Sequence, residues 1–180
     1  MSLYLSKYPS PVGAITMVSD GHSLKGLWFD GQKYFMAGIG KDLVDDPGLE
    51  LFRTVEKWLD SYFAGERPDP ASLPLAPEGG EFRRRVWRLL LDIPYGETRS
   101  YGRLARLVEA ETGRRMSAQA LGGAVGHNPI SIIIPCHRVL GADGSLTGYA
   151  GGIKKKLRLL ELEGVDTSRL KVSTRYPDLL

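Results

Sequence analysis

The pattern of apolar and polar positions divides the chain into a front part suited to strands and a back part suited to helices. Residues 4–8, 14–19 and 23–29 read as three successive strands, with Ser10-Pro11 and Asp20-Gly21 supplying the turn chemistry between them. The period then changes. From about residue 49 to residue 63, Leu51, Phe52, Val55, Trp58, Leu59 and Tyr62 recur at the spacing of one helix face, and Ala64-Gly65 closes the segment. Pro68, Pro70, Pro74 and Pro77 follow, in a stretch that can be neither helix interior nor central strand. A domain boundary is expected there. The front domain covers residues 1–78, with the proline-rich linker at about 64–78, and the back domain covers residues 79–180.

The back domain reads as mostly helical. Residues 81–92 are amphipathic, with Phe82, Val86, Leu89 and Leu90 inward and Arg83, Arg84, Arg85 and Arg88 mostly outward. Pro94-Tyr95-Gly96 turns the chain. Ser100 is placed to cap a helix running to about residue 109, which packs through Leu104, Ala105, Leu107 and Val108. Thr112-Gly113 breaks it, and Ser117 caps a second helix running towards Asn128-Pro129. Two short helices with a turn between them predict a helix-turn-helix unit. The expected fold class is α/β in the α+β sense. A small N-terminal sheet-plus-helix domain precedes a mostly helical C-terminal domain with a helix-turn-helix or winged-helix-like DNA-binding unit.

The second of those helices is built from Ala118, Gln119, Ala120, Leu121, Gly122, Gly123, Ala124, Val125 and Gly126. Glycine costs about 1 kcal/mol per residue in a helix interior relative to alanine, so three of them need a reason. One reason is close packing against another helix of the same protein. The other is that a thin helix can press against an outside backbone. The minor groove of B-DNA, about 6 Å wide, is too narrow for a helix bearing large side chains.

Composition and charge sharpen this picture. The 180 residues, 42% hydrophobic and 25% charged, suffice for one or two small domains with real cores. Residues 1–80 carry 7 Lys and Arg against 11 Asp and Glu, a net of −4; residues 81–180 carry 17 against 10, a net of +7. Basic residues between 81 and 120 are all arginine, which suits phosphate contacts. A polyanion is the partner such a back domain could meet. The single cysteine excludes an internal disulfide and a multi-cysteine zinc site, and His22, His127 and His137 show no metal-ligand spacing. No metal and no cofactor are expected. The N-terminus has no basic segment followed by an apolar core, and no run reaches membrane-spanning length, so a cytoplasmic protein without membrane contact is expected.

That cysteine stands in Ile132-Ile133-Ile134-Pro135-Cys136-His137-Arg138-Val139. Residues 132–134 read as a buried strand feeding a short helix that Pro135 would begin. Cys136 would then sit at a helix N-terminus beside His137 and Arg138, where a thiol's pKa is lowered and its thiolate favoured. An inert buried cysteine needs no such neighbours.

Ser100-Tyr101, the Gly122-Gly123-Ala124 helix, Asn128-Pro129, Ile134-Pro135-Cys136-His137-Arg138-Val139, Gly148-Tyr149-Ala150-Gly151-Gly152 and Leu159-Leu160-Glu161-Leu162-Glu163-Gly164 stand in this order. Together they resemble the O6-alkylguanine-DNA alkyltransferases over about residues 81–164. The resemblance implies single-turnover repair of double-stranded DNA carrying O6-alkylguanine, and of O4-alkylthymine. The damaged base is flipped through the minor groove and its alkyl group moves irreversibly to the protein's own cysteine. No protein partner is implied, and the expected state is a monomer.

The same resemblance implies the roles. Cys136 is the nucleophile, His137 deprotonates it through a bridging water, and Glu163 orients and polarises His137. Asn128 braces the turn beside the site. Tyr101, next to Ser100, rotates the target phosphate and donates a hydrogen bond to the departing guanine. The carbonyls of Cys136 and Val139 accept from the guanine amino group, and Arg138 belongs to the same substrate-facing set. The N–H of Ala150 addresses O6, Tyr149 walls the pocket, and Gly151 leaves room for larger alkyl groups. Relatives commonly carry an arginine that enters the base stack, and here that position is Gln119. Glutamine can hydrogen-bond the orphaned cytosine but lacks the guanidinium's charge and stacking plane.

Two rivals stand beside this reading. A non-catalytic helix-turn-helix sensor or regulator would use the basic half but gives Cys136-His137 no purpose. A cysteine hydrolase would need an oxyanion hole and turnover, and nothing in the chain points to an amide substrate. Walker and dinucleotide fingerprints are both missing from the sequence.

Overall fold

The computed structural model describes residues 2–172, and these form two compact units. The first runs to Gly79 and also takes in Pro129–Ile133. Its sheet has the order β3-β2-β1-β4, from strands β1 (Leu3–Ser10), β2 (Gly13–Ser19), β3 (Leu24–Phe29) and β4 (Leu43–Asp45). β1, β2 and β3 form an antiparallel meander, as the turn residues dictate, and β4 adds in parallel beside β1. Ile15, Met17 and Val18 of β2 and Leu27, Trp28 and Phe29 of β3 are almost fully buried. Helix α1 (Glu50–Phe63) buries Phe52, Val55, Trp58, Leu59 and Tyr62 of the stripe that the sequence spacing predicts, while Leu51 in its first turn is half-buried. The proline-rich stretch holds a single 3₁₀ turn, Pro70–Ser72. It is also fastened to the sheet edge, where Leu24 N–H donates to the Pro74 carbonyl at 2.8 Å and Ala76 N–H to the Leu24 carbonyl at 2.9 Å.

The second unit comprises Gly80–Asn128 and Ile134 onward. Helix α2 (Glu81–Leu91) buries Val86, Trp87, Leu89 and Leu90, and leaves Arg83, Arg84 and Arg88 exposed. Strand β5 (Arg99–Ser100) leads into α3 (Tyr101–Thr112), where Ser100 Oγ accepts from Arg103 N–H at 3.1 Å as the N-cap. α3 runs three residues beyond the expected end, because its terminator is Gly113, whose φ of 67° allows the left-handed C-cap. Ser117 caps α4 (Ala118–Gly126), accepting from Ala120 N–H at 3.0 Å. Leu121, Ala124 and Val125 are the buried face of α4, and Trp87 Nε1 donates to the Ala124 carbonyl at 2.9 Å.

Beyond Asn128 the expected strand is absent. Residues 132–134 are buried but turn, with Ile132 at a φ of 70° and Ile133 N–H donating to the Ser131 carbonyl at 2.8 Å. A β-branched residue rarely adopts that conformation. Burial and β-branching mimic a strand in sequence, but here they fill a tight turn. The expected helix after Pro135 is one 3₁₀ turn, Cys136–Arg138, followed by β6 (Val139–Leu140), which pairs in parallel with β5. β7 (Ser145–Leu146), α5 (Ile153–Leu162) and β8 (Lys171–Val172) complete the unit around Leu140, Leu146, Ile153 and Leu160.

Candidate active site

The sole cysteine lies at the centre of a buried polar chain. Cys136 is 5% exposed, and Asn128 Nδ2 sits 3.1 Å from its sulfur. The same nitrogen donates its other hydrogen to the Ile134 carbonyl at 2.7 Å. Both amide hydrogens of Asn128 therefore serve the turn that carries the thiol. Pro135, at φ −84° and ψ 65°, shapes that turn, and Cys136 N–H closes it onto the Ile134 carbonyl at 2.8 Å.

His137 and Glu163 are fully enclosed. His137 Nε2 lies 2.6 Å from Glu163 Oε1. An anionic carboxylate at that nitrogen holds the proton on Nε2, so the basic lone pair is on Nδ1. Burial pushes the imidazole's pKa down more strongly than Glu163 pulls it up, with Arg138 and Lys156 adding to the downward push. The ring is accordingly neutral and can accept a proton. Burial alone would raise the Glu163 pKa, but hydrogen bonds and charge from His137 and Arg138 outweigh it and hold the group at about 2. With the imidazole neutral, the standing ion pair is Glu163–Arg138. It is bidentate: Arg138 Nε donates to Oε2 at 2.8 Å and Nη2 to Oε1 at 3.0 Å.

The turn after α2 holds this pair. Arg138 Nη1 donates to the Ile93 carbonyl at 2.6 Å, and Gly96 N–H donates to Glu163 Oε2 at 3.2 Å. Tyr95 Oη donates to the Leu162 carbonyl at 3.1 Å. Gly96 has a φ of 79°, and a Cβ there would stand 2.9 Å from the Glu163 carbonyl oxygen. Only glycine lets the two backbones approach this closely.

One sequence expectation is corrected. A helix N-terminus was expected to lower the Cys136 pKa. The 3₁₀ turn is three residues long, too short to carry a useful dipole, and burial drives the thiol's pKa up. Asn128, Lys156 and the cysteine's own backbone N–H oppose that rise without cancelling it. The resting group is a neutral thiol.

The remaining site residues fall into three groups. Tyr101 begins α3, close enough for its charge state to couple to Cys136. Its phenol is pushed up to about 12 by burial first and Cys136 second, while a hydrogen bond with Thr147 opposes the shift. It is a neutral donor. Tyr149 has a buried hydroxyl raised well above the usual phenol value by burial, Cys136 and Glu163, so it flanks the same centre. Val139 presents its carbonyl to Lys156, whose Nζ donates to it at 2.6 Å. Ala150 and Gly151 lie half-buried before α5. The second group stands elsewhere. Ser100 Oγ is engaged as a helix cap, and Gln119 is exposed on α4. Arg138 forms the third: it is 7% exposed and clamps Glu163, so its guanidinium faces the relay.

Sequence reading missed Lys156, which is fully buried. Within Lys154-Lys155-Lys156 it looks like part of a solvated charge run, yet Ile153, Lys156 and Leu160 fall on one helix face. That spacing was the available signal. Among the described residues, no three His, Cys, Asp or Glu side chains cluster as a metal site, and no helix is long and apolar enough to cross a membrane.

α4 also answers the question its glycines pose. Among the described residues, a Cβ at Gly122, Gly123 or Gly126 would meet nothing within 4 Å. Close packing against the described residues is not what these glycines serve.

Comparison with known proteins agrees across the chain. Residues 81–165 match the family described as 6-O-methylguanine DNA methyltransferase, DNA binding domain, and residues 3–77 match its ribonuclease-like domain. A methylated-DNA–protein-cysteine methyltransferase of Haemophilus influenzae is 43% identical over 91% of this chain and 88% of its own length. One from Methanosarcina acetivorans is 44% identical over 90% and 99%. Among solved structures, Mycobacterium tuberculosis OGT in complex with DNA superposes with a TM-score of 0.76 at 42% identity, covering 94% of this chain and 95% of that one. An O6-methylguanine DNA methyltransferase of Methanococcus jannaschii gives 0.62 at 29% identity over 94% and 96%.

Proposed function

The chain belongs to the methylated-DNA–protein-cysteine methyltransferase family, and on that premise we propose that it repairs double-stranded DNA by taking the alkyl group of O6-alkylguanine, and of O4-alkylthymine, onto Cys136. The observation that carries this reading is the buried chain Asn128–Cys136 and His137–Glu163–Arg138, gathered around the only cysteine.

The chemistry follows from that chain. A neutral thiol is a poor nucleophile, so its proton must leave as the alkyl carbon arrives. His137, held neutral and with Nδ1 basic, takes that proton through a bridging water. Glu163 stabilises the imidazolium that forms, and Arg138 keeps Glu163 ionised throughout. The sulfur lone pair forms the S–C bond while the C–O6 pair returns to guanine, which takes one proton. Tyr101, a phenol at neutral pH, is the donor placed for that proton; the phenolate it leaves recovers a proton from water, and the imidazolium of His137 gives one back to water, so both residues end as they began. Atoms balance as thiol plus alkylguanine giving thioether plus guanine. The thioether does not revert, so each molecule acts once.

DNA binding is assigned to the back domain, residues 79–180, with α4 entering the minor groove and Gln119 supporting the extruded base. The unoccupied space beside Gly122, Gly123 and Gly126 supports this approach. Nucleophile, relay and leaving-group donor all come from one chain, so the reading requires no partner protein and a monomer suffices. A cytoplasmic protein fits a chromosomal substrate. The regulator reading leaves the relay without a purpose.

The test compares wild type with Cys136→Ala on duplex DNA carrying isotope-labelled O6-methylguanine. Label moves to wild type only, while both proteins bind the lesion. Label on the alanine variant, or none on either, contradicts the assignment.

A further inference from the structure

The mechanism above draws nothing from the first unit, yet the loop between Asn128 and Ile134 passes through it. The chain leaves the second unit after Asn128, contributes Pro129–Ile133 to the first, and returns at Ile134. Asn128 closes the base of this loop. Its Nδ2 donates to the Ile134 carbonyl at 2.7 Å and to the Cys136 sulfur at 3.1 Å. The middle of the loop lies along β3, the edge strand of the sheet. Leu27 N–H donates to the Pro129 carbonyl and Ser131 N–H to the Leu27 carbonyl, each at 2.8 Å.

One residue past that pairing stands Ile132, at a φ of 70°. Ile133 N–H closes a three-residue turn around it, onto the Ser131 carbonyl at 2.8 Å. A β-branched residue keeps such a conformation only where its surroundings over-determine it. Here the residue before it is pinned through its N–H, its carbonyl and its side chain. Ser131 Oγ donates to Gln32 Oε1 at 3.2 Å, and the same oxygen accepts from Phe29 N–H at 2.9 Å. A backbone N–H can only donate, so the oxygen end of the Gln32 amide is the end that faces Ser131. Gln32 is also the one buried residue between positions 30 and 35. A buried amide oxygen is costly unless hydrogen-bonded, and this one has two donors. It is built as an anchor.

We propose that Gln32 is a positioning residue for alkyl transfer: through the Ser131 hydroxyl it holds the strained turn at Ile132 and so keeps Asn128 on the Cys136 sulfur. The Asn128 bond strengthens as the thiol loses its proton, because its acceptor then carries the charge. A loop released from Gln32 lets Ile132 relax towards ordinary backbone, and the Asn128 amide loses its fixed place. α4 is held separately, by the Ser117 cap and by Trp87 Nε1 on the Ala124 carbonyl, so its DNA-facing surface stays as it is.

This role rests on the alkyl-transfer reading, but its effect on the thiol is measurable without DNA. The full chain is compared as wild type, Gln32→Leu, Ser131→Ala, the double variant and Tyr8→Phe. Each is followed by single-turnover methyl transfer at saturating O6-methylguanine duplex, by duplex affinity, and by iodoacetamide reaction across a pH series. Gln32→Leu and Ser131→Ala each slow transfer about tenfold while the duplex Kd stays within about twofold. In both, the iodoacetamide profile moves to higher pH, by about half a unit. The double variant is no slower than the slower single one, because both changes break the same bond. Tyr8→Phe removes a different bond of the first unit, from Tyr8 Oη to Asp60 Oδ1 at 2.6 Å. It lowers thermal stability and leaves the transfer rate unchanged. Wild-type rates in both single variants overturn the proposal, as do losses that multiply in the double variant or an equal loss in Tyr8→Phe. Should Gln32→Leu not fold, Ser131→Ala, which removes one oxygen atom, decides by the same readouts. If the iodoacetamide profiles shift while wild type transfers no methyl, the repair reading fails and the role of Gln32 at the thiol stands.

Discussion

At the scale of single residues, the site is governed by what burial does to each ionisable group. It raises the Cys136 thiol and lowers the His137 imidazole, so both rest neutral and the proton transfer between them separates charge. Glu163 is the exception, held ionised against burial by its hydrogen bond with His137 and by the two from Arg138. This has a consequence for stability. The folded-state pKa of Glu163, about 2, lies below its ordinary value of 4.5. The folded state therefore favours the anion, and the contribution is complete above pH 4.5 and lost as pH falls through 2. Glu163→Gln strands the Arg138 charge in the interior, at a cost on the order of 3 kcal/mol near neutrality. Urea unfolding at a series of pH values checks this. The gap between wild type and variant is constant above about pH 5 and narrows below 4.5. A gap unchanged down to pH 2 contradicts the assigned ion pair.

At the scale of elements, legibility followed the length of each periodic pattern. α1 and α2 were readable because long amphipathic stripes leave a distinct period, and α3 and α4 because Ser100 and Ser117 are strong caps. Strands β4, β6, β7 and β8 are two or three residues long and exist through pairings distant in sequence, which no local pattern announces. The turn at residues 132–134 was unreadable for another reason. Its apolar β-branched composition is that of a strand, and only the tertiary setting forces Ile132 to a positive φ. Within the site, the motif around Cys136 was conspicuous and the spacing of Lys156 with Ile153 and Leu160 was a weaker signal, whereas the clamp role of Arg138 needed coordinates. Arg175, which by its charge could meet phosphate or water alike, lies outside the described residues. α4 carries the element-scale prediction. No described residue crowds Gly123, so Gly123→Leu leaves thermal stability unchanged or raises it by up to about 1 kcal/mol. Duplex DNA affinity falls about tenfold or more, because the side chain obstructs the groove. Thermal unfolding and fluorescence anisotropy measure the two together. Full affinity in the variant would remove α4 from the interface.

At the scale of the whole molecule, the charge is unevenly shared. The first 80 residues hold 11 acidic against 7 basic residues, and the remaining 100 hold 17 basic against 10 acidic. Basicity therefore travels with the unit that holds α4, Cys136 and the relay, as a DNA-directed single-turnover protein requires. The first unit has a complete core of its own and supplies none of the relay residues. Nucleophile, relay and DNA-facing helix converge on one event per molecule at one sulfur atom. Intact-mass measurement during incubation with excess O6-methylguanine duplex, followed by peptide mapping, tests it most directly. The expected result is a gain of one methyl group per chain, confined to Cys136 and not exceeded with time. An unchanged mass despite tight lesion binding, or a methyl group on any other residue, would contradict it.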